Sequence, residues 1–352
     1  MLQYIKLNYS PGSRVALYCT LDSIYFSSHT LLELVEKFYL QGGKHLFLDE
    51  VHKYPTWSKE LKEIYDLYPS MQIVFSGSSL LNILNADADL SRRCLPYNMY
   101  GLSFREFLMF YKNIRIPVAS LEEVLKNAGE ICQGINEQCR PVQMFNEYLH
   151  DGYYPFFTGN REDYYMNIEN VVNFILEQEM PLLCGVDPAY VRKLKALLSI
   201  LASSVPYEVD ITKLAGIIGL TRNSVITYLQ NLDRAELLKL LYSDLTSVKK
   251  MQKPDKIYLQ NPNLLYAIAS TSVQIGTARE TFVMSQLSVN HEIEYGKAQG
   301  DFVVDHKYTF EVGGADKTFK QIADLPDSFI LADNIEYATG KKLPLWIVGL
   351  TY

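Results

Sequence analysis

Hydrophobic and polar positions follow two different periods over the first part of the chain. Residues 14–22, 45–50 and 72–79 are short, mostly apolar runs of the kind found in buried strands. Between them, residues 29–43 and 58–69 carry apolar positions at the spacing of amphipathic helices. This order of strand, helix, strand, helix and strand predicts a parallel sheet with crossover helices.

The remainder of the chain changes character more than once. Residues 113–195 are mainly helical in pattern. In residues 196–260, two helices flank Gly219 and two strand-like runs follow, which predicts a winged helix. Residues 261–352 combine a helix with short runs predicted as strands, "DFVVD", "YTFEV" and "LPLWIVGL". We therefore expect an α/β multi-domain protein. The predicted domains are residues 1–112, 113–195, 196–260 and 261–352.

Composition narrows the class of protein. The chain of 352 residues is 48% hydrophobic and 21% charged, a globular balance with room for more than one core. A net charge of -7 argues against a surface covered in nucleic acid, although it allows one basic face. The five cysteines form no C-x-x-C pair, and no apolar run has the length of a membrane span. These features predict a cytoplasmic protein without a zinc site, a disulfide framework or a membrane partner.

The first candidate site follows the second predicted strand, in "HLFLDE". Asp49 at the end of this strand is suited to hold Mg²⁺. Glu50 beside it is suited to orient or deprotonate the water that attacks a γ-phosphate. The alternative is a strand end that carries two solvated acids.

Two further groups follow the third predicted strand. Ser76 and Ser78 in "SGSS" are candidates to contact the water at the γ-phosphate, the alternative being a turn built from small residues. Arg92 and Arg93 are candidates for an arginine finger, which stabilises the charge that builds up on a transferring phosphoryl group. The alternative for these two is an ordinary surface pair.

Four segments carry a family resemblance. "GGKHLFLDEVHKYPTWSKELKEIYD", "IVFSGSSLLNI", "ADLSRR" and "GLSFREFL" occur in this order and at close spacing. Together they resemble prokaryotic AAA-type ATPases that carry a C-terminal domain of unknown function. The resemblance implies a P-loop NTPase-type sheet, a helical lid, a winged helix and a restriction-endonuclease-like tail. It also implies ATP and Mg²⁺ as cofactors, and a homo-oligomer if the arginine finger acts between subunits.

The same resemblance implies a phosphate loop. In that family, a strand and a loop ending in Gly-Lys-Thr-Thr precede a helix similar to the first residues of this chain, whereas the chain itself contains no Gly-Lys-Ser/Thr sequence. In that family the strand lies centrally in the sheet, so we expect a sheet that lacks it to have a gap or an exposed edge. Such a loop supplies N–H donors, a lysine and a magnesium ligand to the nucleotide. Without it, we expect neither tight ATP binding nor hydrolysis.

The predicted winged helix is locally basic. Residues 210–256 contain eight Lys/Arg and five Asp/Glu, a local net charge of +3 in an acidic chain. The start of its second helix is where DNA contacts are usually made. The candidate DNA contacts are Arg222, Asn223, Lys249 and Lys250. The alternative is a connector between domains, which is favoured because the same helix carries Asp233 and Glu236.

The tail resembles the PD-(D/E)XK nucleases through "RETFV", with Glu280, and through "GDFVVD" and "YTFEVGG". Asp301 and Glu311 match the metal-binding Asp and Glu of that pattern. The pattern places a lysine two residues after the Glu, where this chain has Gly313. The candidates for a substitute are Lys317 and Lys320. The alternative is a nuclease-like fold with weak or no activity.

Three functions stay open on the sequence alone. The first is an AAA-type ATPase that cannot bind ATP tightly as this chain. The second is a non-enzymatic module that binds DNA or a protein through the winged helix. The third is a metal-dependent nuclease acting through Asp301 and Glu311.

Overall fold

The computed structural model forms two compact units, residues 1–98 and residues 99–352. The structure describes residues 1–77, 90, 92–204, 207–208, 210–243, 253–269, 273–297 and 299–352. Ser78, Lys249 and Lys250, which the sequence singled out, lie outside the described residues. The first unit ends before Phe104–Lys112, a helix that the predicted first domain included.

The first unit alternates strands and helices. Its helices are α1 (Leu2–Asn8), α2 (Leu31–Leu40) and α3 (Trp57–Leu67). Its strands are β1 (Ala16–Thr20), β2 (His45–Asp49) and β3 (Gln72–Phe75). The strands form one parallel sheet in the order β1-β2-β3, with Thr20 opposite Asp49. The predicted parallel sheet is therefore confirmed.

The central strand β2 is fixed on both faces. Leu46 and Leu48 are fully buried in a core to which α2 and α3 also contribute. Because side chains alternate along a strand, Phe47 points to the other face, where its ring lies 6.0 Å from that of Tyr4 and 6.2 Å from that of Tyr9 on or beside α1. Burial on both faces holds the carboxyl end of β2 in place.

Strand β3 lies at an edge. Within the described residues it pairs with β2 alone. Val74 in this strand is 48% exposed, whereas Ile73 and Phe75 pack against the core. An edge of this kind can accept a further strand. The sequence led us to expect a gap or an exposed edge in this sheet, and the direct pairing of β2 with β3 leaves no gap between these two strands.

The second unit begins with helices. They are α4 (Phe104–Lys112), α5 (Leu121–Lys126), α6 (Ala128–Asn136), α7 (Pro141–Asp151), α8 (Arg161–Phe174), α9 (Met180–Cys184) and α10 (Val191–Ser204). A π-helical segment, Ile175–Glu179, joins α8 to α9. Capping boxes begin α4 and α5, each with a serine and a glutamate three residues later. Across the described part of the chain, no helix is both long and apolar enough to cross a membrane.

A short helical hairpin and a small sheet follow. The hairpin consists of α11 (Ile211–Ile218) and α12 (Arg222–Arg234), separated by Gly219 at φ +69°. Glycine suits this left-handed position because it has no Cβ. The antiparallel sheet has the order β4-β6-β5, made of β4 (Tyr207–Glu208), β5 (Leu238–Leu241) and β6 (Lys256–Leu259).

The last part combines two helices with a five-stranded mixed sheet. The helices are α13 (Pro262–Ile268) and α14 (Ile275–Leu287). The strands are β7 (Ile293–Tyr295), β8 (Phe302–Val304), β9 (Tyr308–Gly313), β10 (Ser328–Ala332) and β11 (Lys342–Pro344). Their order is β11-β10-β9-β8-β7, with parallel pairs at β11-β10-β9 and antiparallel pairs at β9-β8-β7.

One predicted strand is wrong over most of its length. In "LPLWIVGL", only the first two residues belong to β11, and Leu345–Leu350 is a 3₁₀ helix. All six of its residues are buried. A uniformly apolar run shows neither a two-residue nor a 3.6-residue period, so its pattern cannot separate a strand from a helix.

Candidate functional site

The carboxyl edge of the parallel sheet brings Asp49 and Ser76 together. The Ser76 hydroxyl donates a hydrogen bond to Oδ1 of Asp49. The Tyr18 hydroxyl donates to Oδ2 at 2.7 Å, and the backbone N–H of Glu50 donates to Oδ1 at 3.2 Å. Parallel strands end at the same edge of a sheet, and the N–H of Val51 ties β2 to the carbonyl of Ser76 at 3.0 Å. Both carboxylate oxygens of Asp49 are therefore held in fixed directions.

These hydrogen bonds also keep Asp49 charged. Burial acts against ionisation, but the bonds from Ser76, Tyr18 and Glu50 outweigh it and lower the pKa of Asp49 below its ordinary value. In return, the bond to Asp49 raises the pKa of Tyr18 to about 12. Asp49 is therefore an ionised carboxylate near neutral pH, which is the state that binds a hard divalent cation.

Glu50 adopts a backbone conformation that few glutamates adopt. Its φ is +54°, in the left-handed region, where a non-glycine residue is strained. Its carboxylate lies 3.6 Å from Nε2 of His52. Strained residues of this kind cluster at functional sites, so the turn after β2 carries a second acid in a constrained position.

The structure does not bring Arg93 to this edge of the unit. Its guanidinium makes two hydrogen bonds to Asp66, at 3.1 and 3.2 Å. Asp66 lies near the end of α3, which starts just after the carboxyl edge of the sheet and runs for 11 residues. At a rise of about 1.5 Å per residue, the two ends of α3 are about 15 Å apart. Arg92 is exposed, with φ +69°.

The predicted DNA-contact residues that the structure describes lie at the start of α12. Arg222 and Asn223 are exposed in its first turn, after an N-cap in which Thr221 accepts from the N–H of Ser224. Asp233 in the last turn instead receives a hydrogen bond from the N–H of Leu240 on β5, at 3.2 Å. Its charge therefore lies toward the sheet and not beside the exposed first turn.

A second group of acids lies in the last part of the chain. We call Glu280 on α14, Asp301 before β8 and Glu311 on β9 the acid cluster. Two lysines contact these acids: Nζ of Lys317 is 2.5 Å from Glu311, and Nζ of Lys256 is 3.5 Å from Glu280 and 4.0 Å from Asp301. The structure thus places the predicted Asp301 and Glu311 in one charged cluster.

The structure explains why a glycine, Gly313, stands where the nuclease pattern has a lysine. A Cβ on Gly313 would lie 2.7 to 2.9 Å from the side-chain carbons of Lys317. The stem of Lys317 therefore occupies the space beside Gly313, and its ammonium group reaches Glu311 from there. Lys320, the other predicted substitute, is exposed.

Burial and mutual repulsion act on the acid cluster. Burial raises the pKa of Glu280, and the charge of Asp301 raises it further, against the attraction of Lys256. Burial also raises the pKa of Glu311, although the hydrogen bond from Lys317 opposes this. Such grouped carboxylates are the oxygen donors that Mg²⁺ prefers. Still, no set of three His, Cys, Asp or Glu side chains in the described residues has the geometry of a metal site.

Sequence reasoning missed two residues of this second site. Lys256 and Tyr258 come from β6, far from the tail in sequence, and the Tyr258 hydroxyl donates to Glu280 at 2.7 Å. The sequence feature that could have indicated Lys256 is its place at the start of an otherwise apolar strand, "KIYL". A lysine buried there needs a carboxylate partner.

One comparison with known proteins covers the part of the chain that contains the first site. Residues 1–108 match a family described as "AAA domain", and residues 142–274 match one described as "Domain of unknown function (DUF8612)". The first match supports an ATPase-like, nucleotide-binding domain over the part of the chain that contains Asp49 and Ser76. No solved structure matches the chain.

Two similar curated proteins come from Methanocaldococcus jannaschii. The chain is 27% identical to uncharacterized protein MJ1637, over 72% of this chain and 55% of that protein. It is 25% identical to uncharacterized protein MJ1544, over 57% of this chain and 44% of that protein. The chain therefore spans about half the length of the curated relatives it matches.

Proposed function

We propose that the first unit is the magnesium and water side of an AAA-type ATP site. The observation that carries this proposal is the hydrogen-bonded pair of Asp49 and Ser76 at the ends of adjacent parallel strands. In the proposal, Asp49 holds the Mg²⁺ of ATP, Glu50 orients or deprotonates the attacking water, and Ser76 contacts the water at the γ-phosphate. The match of residues 1–108 to an AAA domain supports it.

The other side of the nucleotide needs a phosphate loop. The resemblance places the missing strand centrally in the sheet, where it would bring such a loop toward Asp49. Each charge-assisted bond between the loop and the phosphates contributes about 1.5–3 kcal/mol. Three missing bonds therefore weaken ATP binding on the order of a thousandfold or more.

The arginine finger is assigned in the proposal to Arg92 or Arg93 acting on a neighbouring subunit. Arg93 is already bound by Asp66 within its own unit, so Arg92 is the freer of the two. A finger that acts between subunits requires a homo-oligomer. Mixing Arg92→Ala subunits with Asp49→Ala subunits should then restore part of the ATPase rate. No restoration in the mixture, with each variant inactive alone, would count against this assignment.

The roles at the edge of the sheet are tested in a chain that carries a phosphate loop upstream. We expect Glu50→Gln to keep ATP binding and to lose at least 100-fold in hydrolysis rate, because the water is no longer activated. Asp49→Asn should lose the Mg²⁺ dependence of binding. The matched control is Glu63→Gln, an exposed acid on α3. A Glu50→Gln variant that hydrolyses ATP at the unaltered rate would refute the role of Glu50.

A metal-dependent nuclease is a second candidate function, and the acid cluster favours it. In this proposal, Asp301 and Glu311 hold Mg²⁺ after a rearrangement of their side chains, because no three acids in the described residues have the geometry of a metal site as they stand. Lys317 takes the place of the lysine that the pattern lacks at Gly313, because its ammonium group already reaches Glu311. Such a site hydrolyses a phosphodiester with the cation stabilising the developing charge.

The nuclease is tested by Mg²⁺-dependent nicking of supercoiled DNA. We expect nicking to disappear in Asp301→Asn and to persist in Asp316→Asn, the exposed matched control. Nicking that survives in Asp301→Asn comes from a contaminant and would remove this candidate.

Binding of DNA without cleavage is the remaining proposal, through Arg222, Asn223, Lys249 and Lys250. The exposed first turn of α12 supports it. Affinity for a duplex should fall with salt, and Arg222→Ala should lower the slope of log affinity against log salt by about one. Lys62→Ala, on α3, is the control and should leave the slope unchanged. An Arg222→Ala variant with the unaltered slope would exclude this contact.

A further inference from the structure

A polar cavity lies beside α7 and the first residue of α8, within the second unit. Its volume of about 570 Å³ is within the range of small-molecule sites. Arg140, Gln143 and His150 are spaced three and seven residues apart, so they lie on one face of α7. Five of the side chains that line the cavity carry hydrogen-bond donors: Arg140, Gln143, Asn146, His150 and Arg161.

Three of these donors are unengaged in the part of the chain that the structure describes. The side chains of Arg140, Gln143 and Asn146 are exposed, and they make no hydrogen bond or ion pair with a described residue. An arginine presents five N–H donors in a planar fork that matches the oxygens of a phosphate. A ligand can therefore take up Arg140 without first breaking a contact within the described residues.

The second arginine is held in place from behind. Nε of Arg161 donates to Oδ2 of Asp151 at 2.6 Å, and the Asp151 side chain is only 6% exposed. The terminal nitrogens of Arg161 make no hydrogen bond with the described residues, so they are left for a ligand. A buried carboxylate that fixes a functional side chain is the usual way in which a fold preorganises a binding site.

His150 is held between two tyrosines. Its ring lies 4.0 Å from that of Tyr266, and its Nδ1 lies 3.4 Å from the hydroxyl of Tyr165. Burial lowers the pKa of His150 and the charge of Arg161 lowers it further, whereas the charge of Asp151 raises it. An anion bound at Arg161 would offset the positive charge and raise the pKa of His150, so this ring is a reporter of the cavity.

Two acids also line the cavity, and they differ in their partners. Glu147 accepts from Nζ of Lys112 at 2.6 Å, and this ion pair offsets its charge. Glu336 is exposed, and its carboxylate has no ion pair with a described residue. A carboxylate of this kind accepts hydrogen bonds from the ribose hydroxyls of nucleotides in other folds. The lining therefore combines donors for an anion with one acceptor for hydroxyl groups.

We propose that this cavity binds a phosphomonoester that carries hydroxyl groups, of the class of the ribonucleoside monophosphates. Arg140 and Arg161 hold the phosphate, and Glu336 accepts from the hydroxyls. The same chemistry is present in a free nucleotide and at the 5′-phosphate end of an RNA. The proposal shares no residue with the ATP site or with the acid cluster, so it stands independently of both.

The test is calorimetric titration of the full chain with AMP. Arg140→Gln removes one charge-assisted partner of the phosphate, and we expect it to weaken AMP binding about tenfold or more. This variant breaks no contact within the described residues, so it should fold like the unaltered chain. Arg192→Gln, at an exposed arginine on α10, is the matched control and should change the affinity by less than about twofold. Adenosine, which lacks the phosphate, should bind about tenfold more weakly than AMP or worse.

Two further measurements locate the bound AMP. The chain has six histidines, and His150→Gln identifies the His150 signal in an NMR titration of the imidazole protons. AMP should raise the pKa of His150. Asp49→Ala should leave the affinity for AMP unchanged, because Asp49 belongs to the proposed ATP site. A 5′-phosphorylated RNA hexamer that displaces AMP, when its 5′-hydroxyl counterpart does not, would identify the RNA end as the source of the phosphate; no displacement would identify the free nucleotide.

Several results would overturn the proposal. They are the absence of AMP binding, an affinity that Arg140→Gln leaves unchanged, and an equal loss in Arg192→Gln, which would show a general effect of charge. Binding that is lost in Asp49→Ala, or that leaves the pKa of His150 unmoved, would place AMP elsewhere and would also overturn it. None of these results except the loss in Asp49→Ala bears on the proposed ATP site, so the two proposals fail separately.

Discussion

The fold disfavours the ionised form of Asp233. The free energy of unfolding should therefore depend on pH in a direction that can be predicted. Burial raises its pKa from 3.8 to about 6, although Lys239 and the N–H of Leu240 act in the other direction. A folded pKa above the unfolded pKa means that folding binds protons. The contribution of protonated Asp233 to the free energy of unfolding is therefore fully present below pH 3.8, and it is lost as the pH rises through about 6.

The magnitude follows from the shift. A shift of about two pKa units corresponds to about 3 kcal/mol. Asp233 is only partly buried, and solvent screening reduces this figure to about 1–2 kcal/mol. Asp233→Asn removes the charge and keeps an oxygen that can accept from Leu240. We therefore expect the variant to be more stable than the unaltered chain by about 1–2 kcal/mol at pH 7.5, and by little near pH 4.

The assay is urea unfolding of the full chain, followed by circular dichroism at several pH values between 4 and 7.5. Because the chain has two compact units, the unfolding curve can contain more than one transition. The midpoint of the transition that shifts in Asp233→Asn is compared with that of the unaltered chain. Asp324→Asn, an exposed acid, is the control and should leave the midpoint unchanged at every pH. A loss of stability in Asp233→Asn at pH 7.5, or a gain that stays constant with pH, would refute the reasoning.

Three other variants test the fold and the sites. Asn263→Ala should lower the free energy of unfolding, measured in urea, by about 3–4 kcal/mol. The reason is that this buried amide makes four hydrogen bonds, to Tyr153, Tyr164 and two carbonyls of α7. An unchanged urea midpoint would contradict this. Gly313→Val should displace Lys317 from Glu311 and cost about 1–3 kcal/mol, whereas equal melting temperatures would show that Lys317 does not depend on this space. Tyr18→Phe should raise the pKa of Asp49 in a carboxyl NMR titration, and an unshifted titration would exclude the hydrogen bond as a cause of the low pKa.

The first site was predictable because its geometry depends on local pattern. Periods of apolar positions predicted three parallel strands, and parallel strands end at one edge, so Asp49 and Ser76 had to lie near each other. The hydrogen bond from Tyr18 was not predicted. It depends on the register between β1 and β2, which the pattern of a single chain does not specify.

The second site was predictable only in part, since its residues come from distant segments. Asp301 and Glu311 followed from a motif on neighbouring strands, but Lys256 enters from β6 of a different sheet. The ion pair that holds Arg93 on Asp66 likewise depends on where a loop returns to α3. The final apolar run was misread as a strand because burial on all sides removes the period that would identify a helix.

The measurement that tests the central claim most directly is Mg²⁺-ATP binding by calorimetry. It compares the 352-residue chain with a chain extended by an engineered N-terminal strand and Gly-Lys-Thr phosphate loop, and with Asp49→Ala in the extended chain. We predict micromolar binding by the extended chain alone, lost in Asp49→Ala. Absence of binding by both chains, or binding that Asp49→Ala does not change, would contradict the assignment of the Asp49 and Ser76 edge to an ATP site.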